Sequence, residues 1–353
     1  MKVCFYFPAT RLRFQATKKS SSSSFEYHRG ISGGGPLVKT KNAMENINVE
    51  TQLFDQWHPQ SDFDIFFVHG SKYQLRDTIK AIKMINKKVV LVTGAYSWRP
   101  LWHFRAWSFV EPFLPIPTIY GLRKEIYEMA DILIPQSESE KIQIYKSFHI
   151  SKEKFRVVPY GIDEKLFGST NPDPFIEEYE IENFVLQVAR INRRKGQTRL
   201  IEALDETGEE IVFVGQLDED EPEEVEKFLS MVEERPWVHY IGRLEHDSLL
   251  PSAYAAANVH VLPSTYEFPG VVSLEAAAAG CAVVSGPYPP IKDYLGDRIT
   301  YCDPEDPESI RKATMEARVD GPDESLAKYV LDNFTWAERA KRLKRIFDNM
   351  EYS

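Results

Sequence analysis

The chain has 353 residues, 43% of them hydrophobic and 27% charged, with a formal net charge of -10. That is a soluble globular composition, too long for one comfortable core and about right for two domains. The acidic balance argues against nucleic acid as a partner, because the chain has no bulk attraction to phosphate backbones. The three cysteines, Cys4, Cys281 and Cys302, are odd in number and widely spaced. They offer no disulfide framework, metal knuckle or redox pair, and a reducing cytoplasm fits them best. No stretch approaches the roughly 18 uninterrupted apolar residues of a membrane span, so a membrane, if met, is met peripherally.

In chain order, strand-like runs VCFYFP (3–8), DIFFVHG (64–70), KVVLVTGA (88–95) and DILIPQS (131–137) alternate with helical spacing over 73–86 and 121–130. This alternation predicts parallel strands joined by crossover helices. The low-complexity segment KKSSSSS (18–24) lies in a long connection after the first strand and cannot pack a core. A polar, acidic stretch at 168–183 reads as the joint between domains. Beyond it the pattern restarts, with strands at 184–190, 210–216, 238–243, 258–264 and 281–286 and helices at about 196–205, 220–234, 246–257 and 271–279. The expected fold is therefore α/β, with two Rossmann-like domains facing a cleft. SESE (137–140) and TWAE (335–338) read as capping boxes that start helices, the second opening the final amphipathic helix. In DPES (306–309), Asp306 is placed at an N-cap with Pro307 after it.

Three motifs can carry chemistry. GGGPLVK (33–39) opens a helix with glycines, Gly34 and Gly35 among them, that let backbone N–H groups approach an anion. It lacks Walker and dinucleotide-fingerprint spacing, so a plain flexible turn is an equal alternative. VARINRRKGQ (188–197) ends a strand with three arginines and a lysine. Cations so close repel unless an anion or acid neutralises them. A diphosphate on Arg190 and Lys195 competes here with a solvated basic turn. STYEFPGVVSLEA (264–276) holds Glu267 in a loop after a strand and Glu275 about one turn inside an apolar helix. A carboxylate there needs hydrogen bonds, which ribose hydroxyls would supply, and the N–H groups around Gly270 to Val272 would meet an anion. The plainer alternative makes Glu275 a cap or a salt-bridge partner.

Taken together, ADILIPQSESE (130–140), VVPYGID (157–163), VARINRRKG (188–196) and PSTYEFPGVVSLEAAAAGCAVV (263–284) resemble the retaining glycosyltransferases of family 4, which have the GT-B fold. The resemblance covers roughly residues 125 to 349 well and the N-terminal third in outline. It implies an N-terminal, acceptor-side domain over 1–167, a C-terminal donor-side domain over 168–333, and a last helix over 334–353 crossing back to the first domain. It implies a nucleotide-diphosphate sugar as co-substrate, with no cofactor and no metal. The diphosphate would lie against Arg190, Lys195, Gly34, Gly35, Gly270 and Val271. The ribose would lie on Glu275, the donor sugar by Phe268 and Pro269, and the nucleobase by Arg243 and Leu244. Glu267 is implied to act on the donor sugar. Where many members carry a histidine after the strand matching VVLVTGA, this chain has Ala95. His69, ending DIFFVHG, is the candidate to occupy that space, as are Tyr96 and His103, and a loop histidine without chemistry is the alternative for His69.

YSWRPLWHFRAWSFVEPFLP (96–115) holds three of the six tryptophans, Trp98, Trp102 and Trp107, together with Arg99 and Arg105. Such a composition suits a saccharide or lipid-linked acceptor, and equally a helix burying its aromatics in a core. The expected activity is transfer of a sugar to a hydroxyl with retention. The alternatives are a nucleotide-sugar epimerase or phosphorylase on the same plan, or a protein that binds a nucleotide sugar without turnover. The oligomeric state is left open by the sequence.

Overall fold

The computed structural model describes residues 1–6, 35–54, 62–114, 116–245, 249–321 and 324–351. Eleven strands are found among them: β1 (Lys2–Tyr6), β2 (Glu50–Leu53), β3 (Ile65–His69), β4 (Lys88–Val92), β5 (Ile132–Ile134), β6 (Val185–Val188), β7 (Ile211–Val214), β8 (Val238–Gly242), β9 (Val259–Leu262), β10 (Ala282–Ser285) and β11 (Thr300–Tyr301). They form two sheets, in the orders β2-β1-β3-β4-β5 and β11-β10-β9-β6-β7-β8. Every described pairing is parallel. The α/β expectation with two parallel-sheet domains holds.

The strands read as continuous apolar runs because both faces of each sheet are covered. Along β3 and β4, Phe66, Val68, Val89 and Leu91 enter one core cluster, and Ile65, Phe67, Val90 and Val92 enter the other. The second sheet splits in the same way, with Val212 and Val214 on one side and Ile211 and Phe213 on the other. This is the period-two alternation of a strand, with both phases buried.

The N-terminal unit comprises Met1–Gln136, Glu140–Val158 and Arg339–Ser353. The last helix, Trp336–Glu351, supplies it with Ala340, Leu343, Phe347 and Met350, packed with Val3, Phe5 and Phe67. The C-terminal unit comprises Ser137–Ser139 and Pro159–Glu338.

The expected joint at 168–183 is corrected. That stretch contains the helix Asp173–Tyr179, and Phe175 is fully buried among Phe184, Tyr254 and their neighbours. The chain passes between units at Val158 and Pro159 instead. Acidic residues on the outer face of this short helix mask one anchoring aromatic. β2 and β11 also escaped prediction. β2 is a polar edge strand with no buried residue, and β11 is two residues long.

Asp306 accepts from the Glu308 N–H at 3.0 Å with Pro307 at the helix start, as expected. A helix does begin directly after Ser137, as expected. The helix there is Glu138–Phe148, and the Glu140 carboxylate accepts from Gln136 N–H at 2.6 Å and also binds the loop after β4.

Candidate functional site

In an open parallel sheet, ligands meet the carboxyl ends of the strands where the order reverses. In the second sheet that point is β6, flanked by β7 on one side and β9 on the other. The loop after β6 is held in several places. The Asn192 side chain accepts from Lys195 N–H at 3.2 Å and donates to Asp218 Oδ2 at 2.9 Å. Gln187 Nε2 donates to the Lys195 carbonyl at 2.7 Å, and Gln197 Nε2 to the Arg190 carbonyl at 3.0 Å. Gly196 has φ of +73°, and a Cβ there would lie 2.6 Å from the Pro263 carbonyl oxygen. Glycine thus lets the loops after β6 and β9 close on each other.

Across that seam the Lys195 ammonium bonds Glu267 Oε1 directly. Both residues are buried, 9% and 7% exposed. Arg194 Nη1 lies 3.5 Å from the same oxygen and donates to the Tyr266 carbonyl at 2.6 Å. Burial lowers the Lys195 pKa, with Glu267 opposing that shift and Arg194 and Arg190 adding to it. Arg190 stays largely exposed, 3.7 Å from Asp218. Arg193 lies 3.5 Å from Glu224. The crowded basic turn is thus met in part by the chain's own acids, a third solution beside the solvated turn and the bound diphosphate.

After Glu267 the chain turns through Phe268 and Pro269, joined by a cis peptide bond, to Gly270. Gly270, with φ of +76°, caps the helix Val271–Ala278. The first N–H groups of a helix have no intrahelical acceptors and favour an anion. Glu275 lies in this helix, 6% exposed, and accepts from the Tyr254 hydroxyl at 3.4 Å. Burial and the neighbouring Glu275 push the Tyr254 phenol well above its ordinary pKa, so it remains a donor.

Beside the seam is an open pocket of about 280 Å³, lined by Ala189, Arg190, Gly215, Gln216, Arg243 and Leu244 among others. It joins the carboxyl ends of β6, β7 and β8. Gly215 is obligatory here, since a Cβ at its φ of +155° would lie 1.8 Å from the Ala189 carbonyl oxygen. A larger depression of about 760 Å³ is bounded by Arg193, Arg194, Glu221, Glu224 and Glu305. We favour the smaller pocket as the ligand slot, because it brings together Arg190, Arg243 and the close-approaching glycine at the strand ends.

The expected residues therefore fall into groups. Arg190, Arg243 and Leu244 line one pocket, and Lys195 and Glu267 form one ion pair. Phe268, Pro269, Gly270 and Val271 form the turn that leads to Glu275. Asn192, Arg194, Gly215, Asp218 and Tyr254 went unassigned. The RINRRKG run and the strand-terminal glycine of EIVFVGQ were the available signals for Arg194 and Gly215; for Tyr254 there was none.

In the N-terminal unit, Gly34 lies outside the described residues and Gly35 is the first residue of the helix Gly35–Glu45. His69 ends β3, half-buried; burial and the Arg339 guanidinium bring its pKa down to about 4, leaving it neutral near pH 7. Ala95 lies in the loop after β4, which two side chains hold. Glu140 accepts from Thr93 Oγ1 at 2.6 Å and Ala95 N–H at 2.7 Å. Gln143 bonds both the N–H and the carbonyl of Ser97 at 2.7 Å. The core-helix alternative for the aromatic segment is overturned, because the helix Leu101–Val110 buries no residue, and Trp98 and Trp102 are 74% and 70% exposed. Trp107 is 40% exposed.

Among the described residues, no group of three or more His, Cys, Asp or Glu is placed to hold a metal ion, and no helix is long and apolar enough to cross a membrane.

Residues 171–330 match the family described as "Glycosyl transferases group 1". Over 281 residues the chain is 26% identical to the alpha-maltose-1-phosphate synthase of Mycolicibacterium smegmatis, spanning 72% of each chain. It is similar in fold to the sucrose-phosphate synthase of Thermosynechococcus elongatus, with a TM-score of 0.70, 19% identity, and coverage of 90% of this chain and 94% of that one. Anabaena HepE in complex with UDP-glucose gives a TM-score of 0.66 at 14% identity, over 99% of each chain. These two likenesses speak for the fold, a GT-B arrangement of two parallel-sheet domains. The matched segment, somewhat under half of the chain, contains the basic turn, Glu267, the Gly270 turn and Glu275, and is similar to the group 1 glycosyl transferases.

Proposed function

We propose that the chain is a retaining glycosyltransferase that moves a sugar from a nucleotide-diphosphate sugar to a hydroxyl acceptor without a metal. The observation that carries this is the seam at the sheet's switch point. There the buried Lys195–Glu267 pair adjoins the Gly270 helix start, and Glu275 is buried within the same helix. Family 4 is the finer assignment, on the four motifs quoted above.

In this reading the nucleobase enters the pocket at Arg243 and Leu244, and Glu275 accepts from ribose hydroxyls. Arg190, Lys195 and the N–H groups of Gly270 and Val271 meet the diphosphate. As the bond between sugar and phosphate breaks, the electron pair leaves with the phosphate. Preorganised cations and N–H groups stabilise the charge where it develops, without solvent reorganisation. An incoming diphosphate draws Lys195 toward itself and leaves Glu267 free to act on the donor sugar held by Phe268 and Pro269. The acceptor oxygen attacks from the face the phosphate leaves, and the phosphate takes its proton, so configuration is retained. His69 is the polar group offered to the reacting sugar in place of the histidine that Ala95 replaces. Trp98, Trp102 and Trp107 form the acceptor face. The three cysteines are buried and free, in keeping with a reducing cytoplasm.

The test is incubation with UDP-, GDP- and ADP-sugars and an acceptor panel, with and without EDTA, reading product and anomeric configuration. Retained configuration and indifference to EDTA are expected. Inversion or metal dependence would overturn the mechanism. A nucleotide-sugar thermal shift with no product from any acceptor would favour a binding protein, the reading that Ala95 supports.

A further inference from the structure

We infer that the aromatic ridge of residues 98–119 is a docking surface for an anionic membrane. Solvent geometry comes first. Of 17 exposed large hydrophobic residues among those described, nine lie between Trp98 and Ile119. Single exposed apolar residues are ordinary, but a contiguous cluster marks an interaction surface. Phe109 and Phe113 are 75% and 78% exposed, and their rings lie 6.2 Å apart. The spacing of Trp102, Arg105 and Phe109 places them along one stripe of the helix Leu101–Val110.

Charge then selects the partner. From Trp98 to Ile119 the chain carries Arg99 and Arg105 against one acid, Glu111, so the ridge is net basic within a protein of net charge -10. The Arg99 guanidinium lies 6.0 Å from the Trp98 ring centre. Tryptophan, phenylalanine and arginine on one helix face suit the headgroup boundary of a bilayer, where rings enter the apolar edge and guanidinium groups meet lipid phosphates. A second copy seated on the same ridge would bring a second pair of these arginines into one interface without adding net acid to meet them. A free saccharide is held in a concave site, and a helix that buries nothing presents a convex one. The docking surface stands independently of the transferase reading. Where both hold, the acceptor is a hydroxyl on a membrane lipid.

The test is co-sedimentation of the full chain with phosphatidylcholine vesicles and with vesicles enriched in phosphatidylglycerol, at low and high salt. The variants are Phe109→Ser/Phe113→Ser and Arg105→Ser. Binding is expected on the anionic vesicles and weakly on the neutral ones. The phenylalanine pair should lower partitioning about tenfold or more, and Arg105→Ser several-fold, with a shallower salt dependence. A thermal shift with UDP-glucose, read on the same variants, reports separately on folding and on the donor site. Absence of binding to anionic vesicles would overturn the inference. So would binding that ignores both variants, or a wild-type dimer that the phenylalanine pair converts to monomer.

Discussion

The two sheets share one grammar but use their carboxyl edges differently. On the C-terminal sheet, charged side chains tie one loop to another. Lys195 and Arg194 from the loop after β6 converge on Glu267 from the loop after β9. On the N-terminal sheet the loop after β4 is tied to the scaffold, by Glu140 and Gln143 of one helix, and the aromatic helix that follows it buries nothing. One edge carries a cation and an acid, Lys195 and Glu267, buried with their pairing already made. The other keeps its polar atoms satisfied internally and shows apolar rings outward. The donor site proposed for the first edge and the docking surface proposed for the second both rest on this difference.

The largest effect should come from breaking the C-terminal seam. Lys195→Met removes the buried cation, and turnover should fall about 10²–10³-fold with loss of the UDP-glucose thermal shift. Glu267→Gln should keep most of that shift while losing turnover. If the lysine variant keeps full donor binding, the seam is merely structural and the contrast between the edges dissolves.

The N-terminal counterpart should fail in stability rather than chemistry. Glu140→Ala leaves the Thr93 hydroxyl and the Ala95 and Gln136 N–H groups without their acceptor. Denaturant unfolding should show a loss of about 3 kcal/mol, and Glu140→Gln should recover part of it. Retained stability with abolished transfer would instead place Glu140 in the reaction and blur the comparison.

A smaller effect follows pH in both units. Each carries a histidine kept neutral by burial, His69 with its pKa lowered to about 4 and His260 to about 3. The unfolded chain takes up a proton near pH 6.5 that the folded chain refuses. This stability is complete above that pH and is lost as pH falls toward the folded values. At pH 5 the cost is about 2 kcal/mol for each histidine. Burial raises the Glu140 pKa, which works in the opposite direction within the N-terminal unit. His260→Phe and His69→Phe should each flatten the acid limb of urea-derived stability by about that amount. Equal slopes in all three proteins would remove the point.

The legible parts of the sequence were those whose signal is local. Runs such as EIVFVGQ and NVHVLPS announce buried parallel strands by β-branched content, and Asp306 with Pro307 announces a helix start. Along the donor edge, the RINRRKG and EFPGVVSLEA segments could be placed after their strands because a parallel sheet sends every carboxyl end to one side. Phe175, hidden in an acidic stretch taken for a joint, could not be read this way. Nor could Glu140, whose spacing promised a helix cap while its carboxylate serves a loop some 45 residues away in sequence. Side-chain hydrogen bonds at that separation leave no trace in local pattern.

By itself, then, the sequence determined the two α/β sheets, the order of their loops and the chemical types available at each strand end, because alternation, capping and turn chemistry act within a few residues. Tertiary structure alone decided which cation Glu267 neutralises, that Gly215 must stay bare beneath the Ala189 carbonyl, and that the tryptophan-rich helix faces water. Burial and ion pairing depend on distances between segments far apart in the chain, and those distances exist only once the sheets have assembled.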